Sequence, residues 1–141
     1  MMIVKDGIKM PRRSTIGSAG YDFFSPDTYE LRPEEWTMID TGVSLDTPKE
    51  MIMNPLCVHW FMMIVPKSGL ATEYGFQLRS TGIIDMDYKD TIKAMVTVDR
   101  PYTLQKDEKF IQGIVMQFGT FTNEIPPTEV RNGGHGSTGR F

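Results

Sequence analysis

A chain of 141 residues, 40% hydrophobic and 23% charged, is long enough for one domain with a core and too apolar for a disordered polymer. Its net charge of -3, with no basic cluster beyond Arg12 and Arg13, argues against a nucleic-acid partner, whereas a free nucleotide needs only a few local cations. The single cysteine, Cys57, excludes an internal disulfide and has no metal-ligand spacing, so it reads as a small buried hydrophobe in a reducing compartment.

In chain order, the first ten residues are broken by Lys5, Asp6 and Lys9 and do not read as a signal peptide. No apolar run reaches membrane-spanning length, so no membrane partner is expected and the cytoplasm, of a cell or of a virus-infected host, is the expected location. Ser18-Ala19-Gly20-Tyr21-Asp22 reads as a glycine turn followed by an acid. Residues 29–32, 37–40 and 41–45 alternate apolar and polar positions and are expected strands. Residues 58–65 form a continuous apolar run ended by Pro66, a buried strand in which His59 is a core or interface residue. Residues 68–75 carry a capping residue, Ser68, at one end and Gly75 at the other, which predicts a helix of one or two turns. Residues 92–98 alternate with Ile92, Ala94, Val96 and Val98 on one face, and residues 110–118 form a further apolar run. Many short strands with one short helix predict an all-β fold: a sandwich, barrel or jelly roll. Residues 132–139 hold four glycines in eight positions and too few apolar groups to pack as a strand, so they should move freely when nothing binds them.

Three segments carry candidate chemistry. The tail from Arg131 offers glycine amides for an anion nest, the hydroxyls of Ser137 and Thr138 and two arginines: the inventory of a polyphosphate clamp, or equally a frayed end. It is not a Walker loop, because no Gly-Lys-Ser/Thr follows. Gly82-Ile83-Ile84-Asp85-Met86-Asp87-Tyr88 offers two carboxylates and an aromatic ring, either a general base beside a sugar or a hairpin with solvated acids. Pro66-Lys67-Ser68-Gly69-Leu70-Ala71 puts a cation at a helix start, which suits a phosphate or marks a plain strand-to-helix junction.

Taken in order, these segments resemble the five motifs of the trimeric dUTPase family. The first is similar to residues 19–23, the second to 66–71, the third to 82–88, the fourth to 107–112 and the fifth to 131–139. The resemblance implies a jelly-roll-like β-clip subunit (residues 1–130) in a homotrimer, with residues 131–141 as a flexible arm that closes over an active site at a subunit interface. It implies hydrolysis of dUTP to dUMP and pyrophosphate with Mg2+. Asp85 would be the general base that aligns water on the α-phosphorus, and Tyr88 would pack on the deoxyribose. The backbone from Gly82 through Ile83 and Ile84 would pair with uracil. Lys67, Ser68, Gly69 and Gln112 would contact phosphates. Arg131, Gly136, Ser137 and Thr138 would hold the γ end, and His135 would stack on the base. Mg2+ would bridge the phosphates, with Asp22 contributing only through water.

The chain departs from the family pattern in four places. Lys67 and Lys109 stand where arginine is usual, which keeps the charge and loses the bidentate fork. Residues 79–81 lack an asparagine often seen before Gly82, and His135 stands where phenylalanine is usual, one residue closer to Arg131. Two alternatives are weighed against the main reading: the related dCTP deaminase, which shares the fold, and a dUTPase-like module serving mainly to bind or regulate another protein.

Overall fold

Alternating patterns and turn residues divide the chain into many short elements. The computed structural model describes residues 1–134 and 138–139; the tail positions His135, Gly136 and Ser137, to which substrate contacts were assigned above, lie outside the described residues. The elements in order are β1 (Met2–Val4), β2 (Gly20–Phe24), β3 (Tyr29–Leu31), β4 (Thr37–Asp40), β5 (Val43–Leu45), α1 (Lys49–Met53), β6 (Trp60–Pro66), α2 (Ser68–Tyr74), β7 (Gln77–Leu78), β8 (Gly82–Asp85), β9 (Lys93–Thr97), β10 (Tyr102–Leu104) and β11 (Lys109–Gln117). The fold is all-β, as the pattern predicts. No described helix is long and apolar enough to cross a membrane.

All pairings are antiparallel. The largest sheet runs β2-β11-β6-β8, a second runs β4-β9-β7, and β1-β5 and β3-β10 are two-stranded. The alternation expected at Ile92, Ala94, Val96 and Val98 is realised, since all four are buried against a core that includes Phe23, Ile39, Phe76, Phe110 and Ile111. Phe76 and Phe110 meet edge to face at 6.4 Å, an arrangement the ring quadrupoles favour. His59 sits beside Phe118, ring centroids 5.9 Å apart, in keeping with a packing role.

The helices differ from expectation in two respects. Lys67, not Ser68, is the N-terminal cap of α2, and no side chain caps that end. The C-terminal end is as predicted: Gly75 takes φ +64°, its N–H donates to the Ala71 carbonyl and the Phe76 N–H donates to the Leu70 carbonyl. The second helix, α1, was not expected. Its five residues follow Pro48, a favourable residue at a helix start, but none of its side chains is buried, so no apolar periodicity announces it.

Candidate active site

β2, β6 and β11, with the segment ahead of β2, bring four polar groups together where α2 begins. Asp22 lies mid-strand in β2 and is only 2% exposed. Its outer edge is covered by Arg12, which exchanges both backbone hydrogen bonds with it at 3.2 and 2.8 Å, and this bridge carries Ser14 over the carboxylate. Lys67, directly after the end of β6, places its Nζ 2.6 Å from Asp22 Oδ1. Lys109 reaches Oδ2 from the start of β11 at 3.0 Å. Ser14 donates to Oδ2 at 2.6 Å and accepts from Lys109 Nζ at 2.7 Å.

Lys109 reaches this cluster because of a β-bulge. Gln112 pairs with Asp22 and Ile111 with Phe23, yet Lys109 pairs with Phe24, so β11 spends one extra residue there. In a regular ladder Lys109 would face away from Gln112; the bulge turns it to the face that Asp22 and Gln112 share, while Phe110 enters the core.

Burial alone would raise the pKa of Asp22. The hydrogen bonds from Lys67, Ser14 and Lys109 outweigh it and bring the value down to about 2. Because the folded value lies below the unfolded one, the resulting stabilisation of about 2 kcal/mol is complete above pH 4 and is lost as the pH falls toward 2. Asp22→Asn should therefore flatten the loss of stability between pH 4 and 2, read from urea-unfolding midpoints; an unchanged acid limb would show that this carboxylate is not the group responsible.

The second constellation lies at the free end of the same sheet. β8 is an edge strand, so one side of its backbone at Ile83 and Ile84 is open among the described residues. Asp85 ends the strand, and the Tyr88 N–H closes a turn onto its carbonyl at 3.0 Å. The two acids splay in that turn and are gathered by the root of the C-terminal arm. Arg131 Nη2 pairs with Asp85 Oδ2 at 2.6 Å, its backbone N–H donates to Asp87 Oδ2 at 3.0 Å, and its guanidinium lies 5.8 Å from the centre of the Tyr88 ring. Gly134 follows so closely along the hairpin that a Cβ there would lie 2.4 Å from Asp90 Cβ. The Tyr88 hydroxyl donates to the Thr91 carbonyl at 3.3 Å, and most of its ring is buried. An open cavity of about 510 Å³ separates the arm root from α1, with Lys49, Lys89 and Arg131 on its walls.

A single chain does not join these two constellations. Gln112 pairs with Val65, and Asp85 pairs with Phe61, so the two ends stand four residues apart along β6, roughly 13 Å. Met63 with its neighbours Ile114 and Ile83 lies between them on the same face, and Ile83 and Met116 are 52% and 41% exposed. A water activated by Asp85 must lie within hydrogen-bond reach of it and beside a phosphorus, a distance the sheet alone does not span.

The family model for dUTPase matches residues 6–139. The chain belongs to the dUTPase family. Among curated relatives, the deoxyuridine 5'-triphosphate nucleotidohydrolase of Paramecium bursaria Chlorella virus 1 is 32% identical over 92% of this chain and 89% of that protein. The enzyme of the same name from Finegoldia magna is 29% identical over 98% and 96%. Among solved structures, at about one residue in five identical, the likeness is one of fold. The dUTPase of Staphylococcus bacteriophage 80alpha with dUpNHpp superposes with TM-score 0.73 at 20% identity over 99% of this chain and 98% of that one. A mutant dUTPase from phage phi11 of S. aureus, described for its structural Mg(II) ion, does so with 0.72 at 19% over 92% and 95%.

Within this dUTPase-family chain, Lys67 and Gln112 lie on the Asp22 end, and Ser68 and Gly69 are exposed beside them at the start of α2. A Cβ at Gly69 would meet nothing within 4 Å, so no packing demand explains the glycine. Asp85, Tyr88 and Arg131 gather at the other end, Gly82, Ile83 and Ile84 run along β8 from beside Ile64 toward it, and Thr138 is exposed. For Asp22 the expectation is a contribution to Mg2+ only through water, and the structure shows what its carboxylate holds directly. Both of its oxygens are taken by ammonium groups and a hydroxyl, and no group of three or more His, Cys, Asp or Glu that could hold a metal occurs among the described residues. These residues do not fit a resident Mg2+ centre. Sequence reasoning passed over Ser14, Lys109 and Asp87 as site residues. Lys109 and Asp87 were inside recognised motifs, but only the bulge and the arm contact give them a role.

Proposed function

We propose that this protein hydrolyses dUTP to dUMP and pyrophosphate at sites shared between copies of a homotrimer. The observation that carries the reading is the sheet face with cations at one end, a carboxylate at the other and a half-exposed apolar band between. Packing that band against another copy buries its apolar area and sets the cationic end of one chain beside the Asp85 end of the next.

In such a site the open edge of β8 supplies backbone donors and acceptors for uracil, and Tyr88 lies beside the sugar. Lys67, Ser68, Gly69 and Gln112 hold phosphate oxygens, with Lys109 adding a second ammonium. Asp85 accepts a proton from water as its oxygen attacks the α-phosphorus. The bond from that phosphorus to the oxygen bridging to the β-phosphate breaks, and pyrophosphate leaves. Such a reaction needs alignment and charge neutralisation more than covalent help. Mg2+ belongs here to the substrate, as the dUTP complex, since the described residues offer it no cluster of three or more His, Cys, Asp or Glu. Residues 131–141 act as the arm: Arg131 passes from the carboxylates to the γ-phosphate, and His135, Gly136, Ser137 and Thr138 follow it over the nucleotide.

Pyrophosphate release from dUTP, dTTP, dCTP and UTP with Mg2+ tests this directly. Release from dUTP alone is expected. Ammonia from dCTP would assign the chain to the deaminase chemistry instead, and silence with every nucleotide would leave the fold as a binding module.

A further inference from the structure

We infer that Ser14 and Asp22 form a positioning unit that holds the ammonium groups of Lys67 and Lys109 apart and aimed at the substrate phosphates, in place of a metal-contributing role for Asp22. The inference rests on the proposed nucleotide site.

Two lysines side by side repel one another and swing on flexible stems, unlike the preformed fork of arginine. Here one buried carboxylate divides them. Its Oδ1 takes Lys67 at 2.6 Å and its Oδ2 takes Lys109 at 3.0 Å. The Ser14 hydroxyl locks the second arm, since it accepts from Lys109 at 2.7 Å and donates to Oδ2 at 2.6 Å. Both functions of that hydroxyl are used, so the Lys109 ammonium is fixed from two sides. The lysine side chains remain 31% and 36% exposed, and each ammonium carries three donors, more than this unit consumes. The unit keeps one net positive charge for an anion. A divalent cation drawn to Asp22 would meet two ammonium groups first, and the carboxylate is sealed from the water through which an indirect contact would run.

The test is binding of inorganic triphosphate to the full chain by calorimetry in EDTA, together with the Mg2+ dependence of dUTP turnover. Ser14→Ala removes only an exposed hydroxyl; it should weaken metal-free triphosphate binding by about fivefold, the worth of one ordinary hydrogen bond. The Mg2+ concentration for half-maximal turnover should stay unchanged, and Ser14→Thr, which keeps the hydroxyl, should restore binding. Asp22→Asn should weaken triphosphate binding further. Wild-type triphosphate affinity in Ser14→Ala would overturn the proposal, as would a raised Mg2+ requirement in either variant with triphosphate binding intact. If the wild-type protein released no pyrophosphate from dUTP, the catalytic reading would fall, while the metal-free titration would still decide what Ser14 and Asp22 do.

Discussion

Asp85→Asn is expected to lower turnover of dUTP by about 10²–10⁴-fold, the usual worth of a positioned general base, while nucleotide binding persists. The carboxylate ends an edge strand whose backbone is held by pairing with β6, and the turn after it is fixed by the Tyr88 N–H. It is 47% exposed, so asparagine fits without disturbing the core. What asparagine lacks is the capacity to take the proton of the attacking water. Pyrophosphate release, set beside equilibrium binding of a non-hydrolysable dUTP analogue, separates the two effects. Unchanged turnover would reject Asp85 as the base, and lost analogue binding would assign it to substrate recognition instead.

Truncation after Val130 should cut kcat/KM by about 10²-fold or more, as loss of a group that aligns reactants does, with assembly and denaturant stability nearly unchanged. The hairpin on which Arg131 lies is anchored elsewhere, because its Ile84 and Ile92 are packed into the main hydrophobic core. The contacts removed are polar and partly solvated: the Asp85 pair, the backbone bond to Asp87 and the approach of Gly134 to Asp90. Sedimentation and urea unfolding check the first half of this expectation, steady-state kinetics the second. Full activity in the shortened chain would show that residues 131–141 do not close over the reaction. Arg131→Ala distinguishes the root of the arm from the glycine-rich remainder: a similar loss in that variant assigns the effect to the guanidinium.

Much of the architecture could be read from residues alone where a simple period governed it. Ile92, Ala94, Val96 and Val98 follow a period of two because the face they share is buried, although Thr97 on the other face is buried as well, and Gly75 ends α2 because its left-handed conformation suits a residue without Cβ. The cap of α2 was assigned one residue late: propensity favours Ser68, but the strand runs through Pro66 and leaves Lys67 in the cap position. α1 escaped notice since an unburied helix needs no apolar stripe. The motifs located the candidate residues of the site but not their grouping. Asp22 looked like an acid after a glycine turn; that it anchors two lysines depends on a register shift in β11 some ninety residues later, which leaves no mark on local periodicity. Asp85 and Asp87 read either as a general base beside a sugar or as solvated hairpin acids, and sequence alone does not show that Arg131 pairs with both.

The separation of the two constellations along β6 has a genetic corollary in the proposed assembly. A lesion at Lys67 and a lesion at Asp85 each silence every site built from identical chains, yet they damage opposite halves of it. In a population of mixed assemblies, a chain altered only at Asp85 still lends its intact cationic end to a neighbour altered only at Lys67, and that junction is whole. Two inactive alleles expressed together therefore complement one another, whereas two lesions in the same half do not, and the pattern of complementation among alleles draws the boundary between chains within each site.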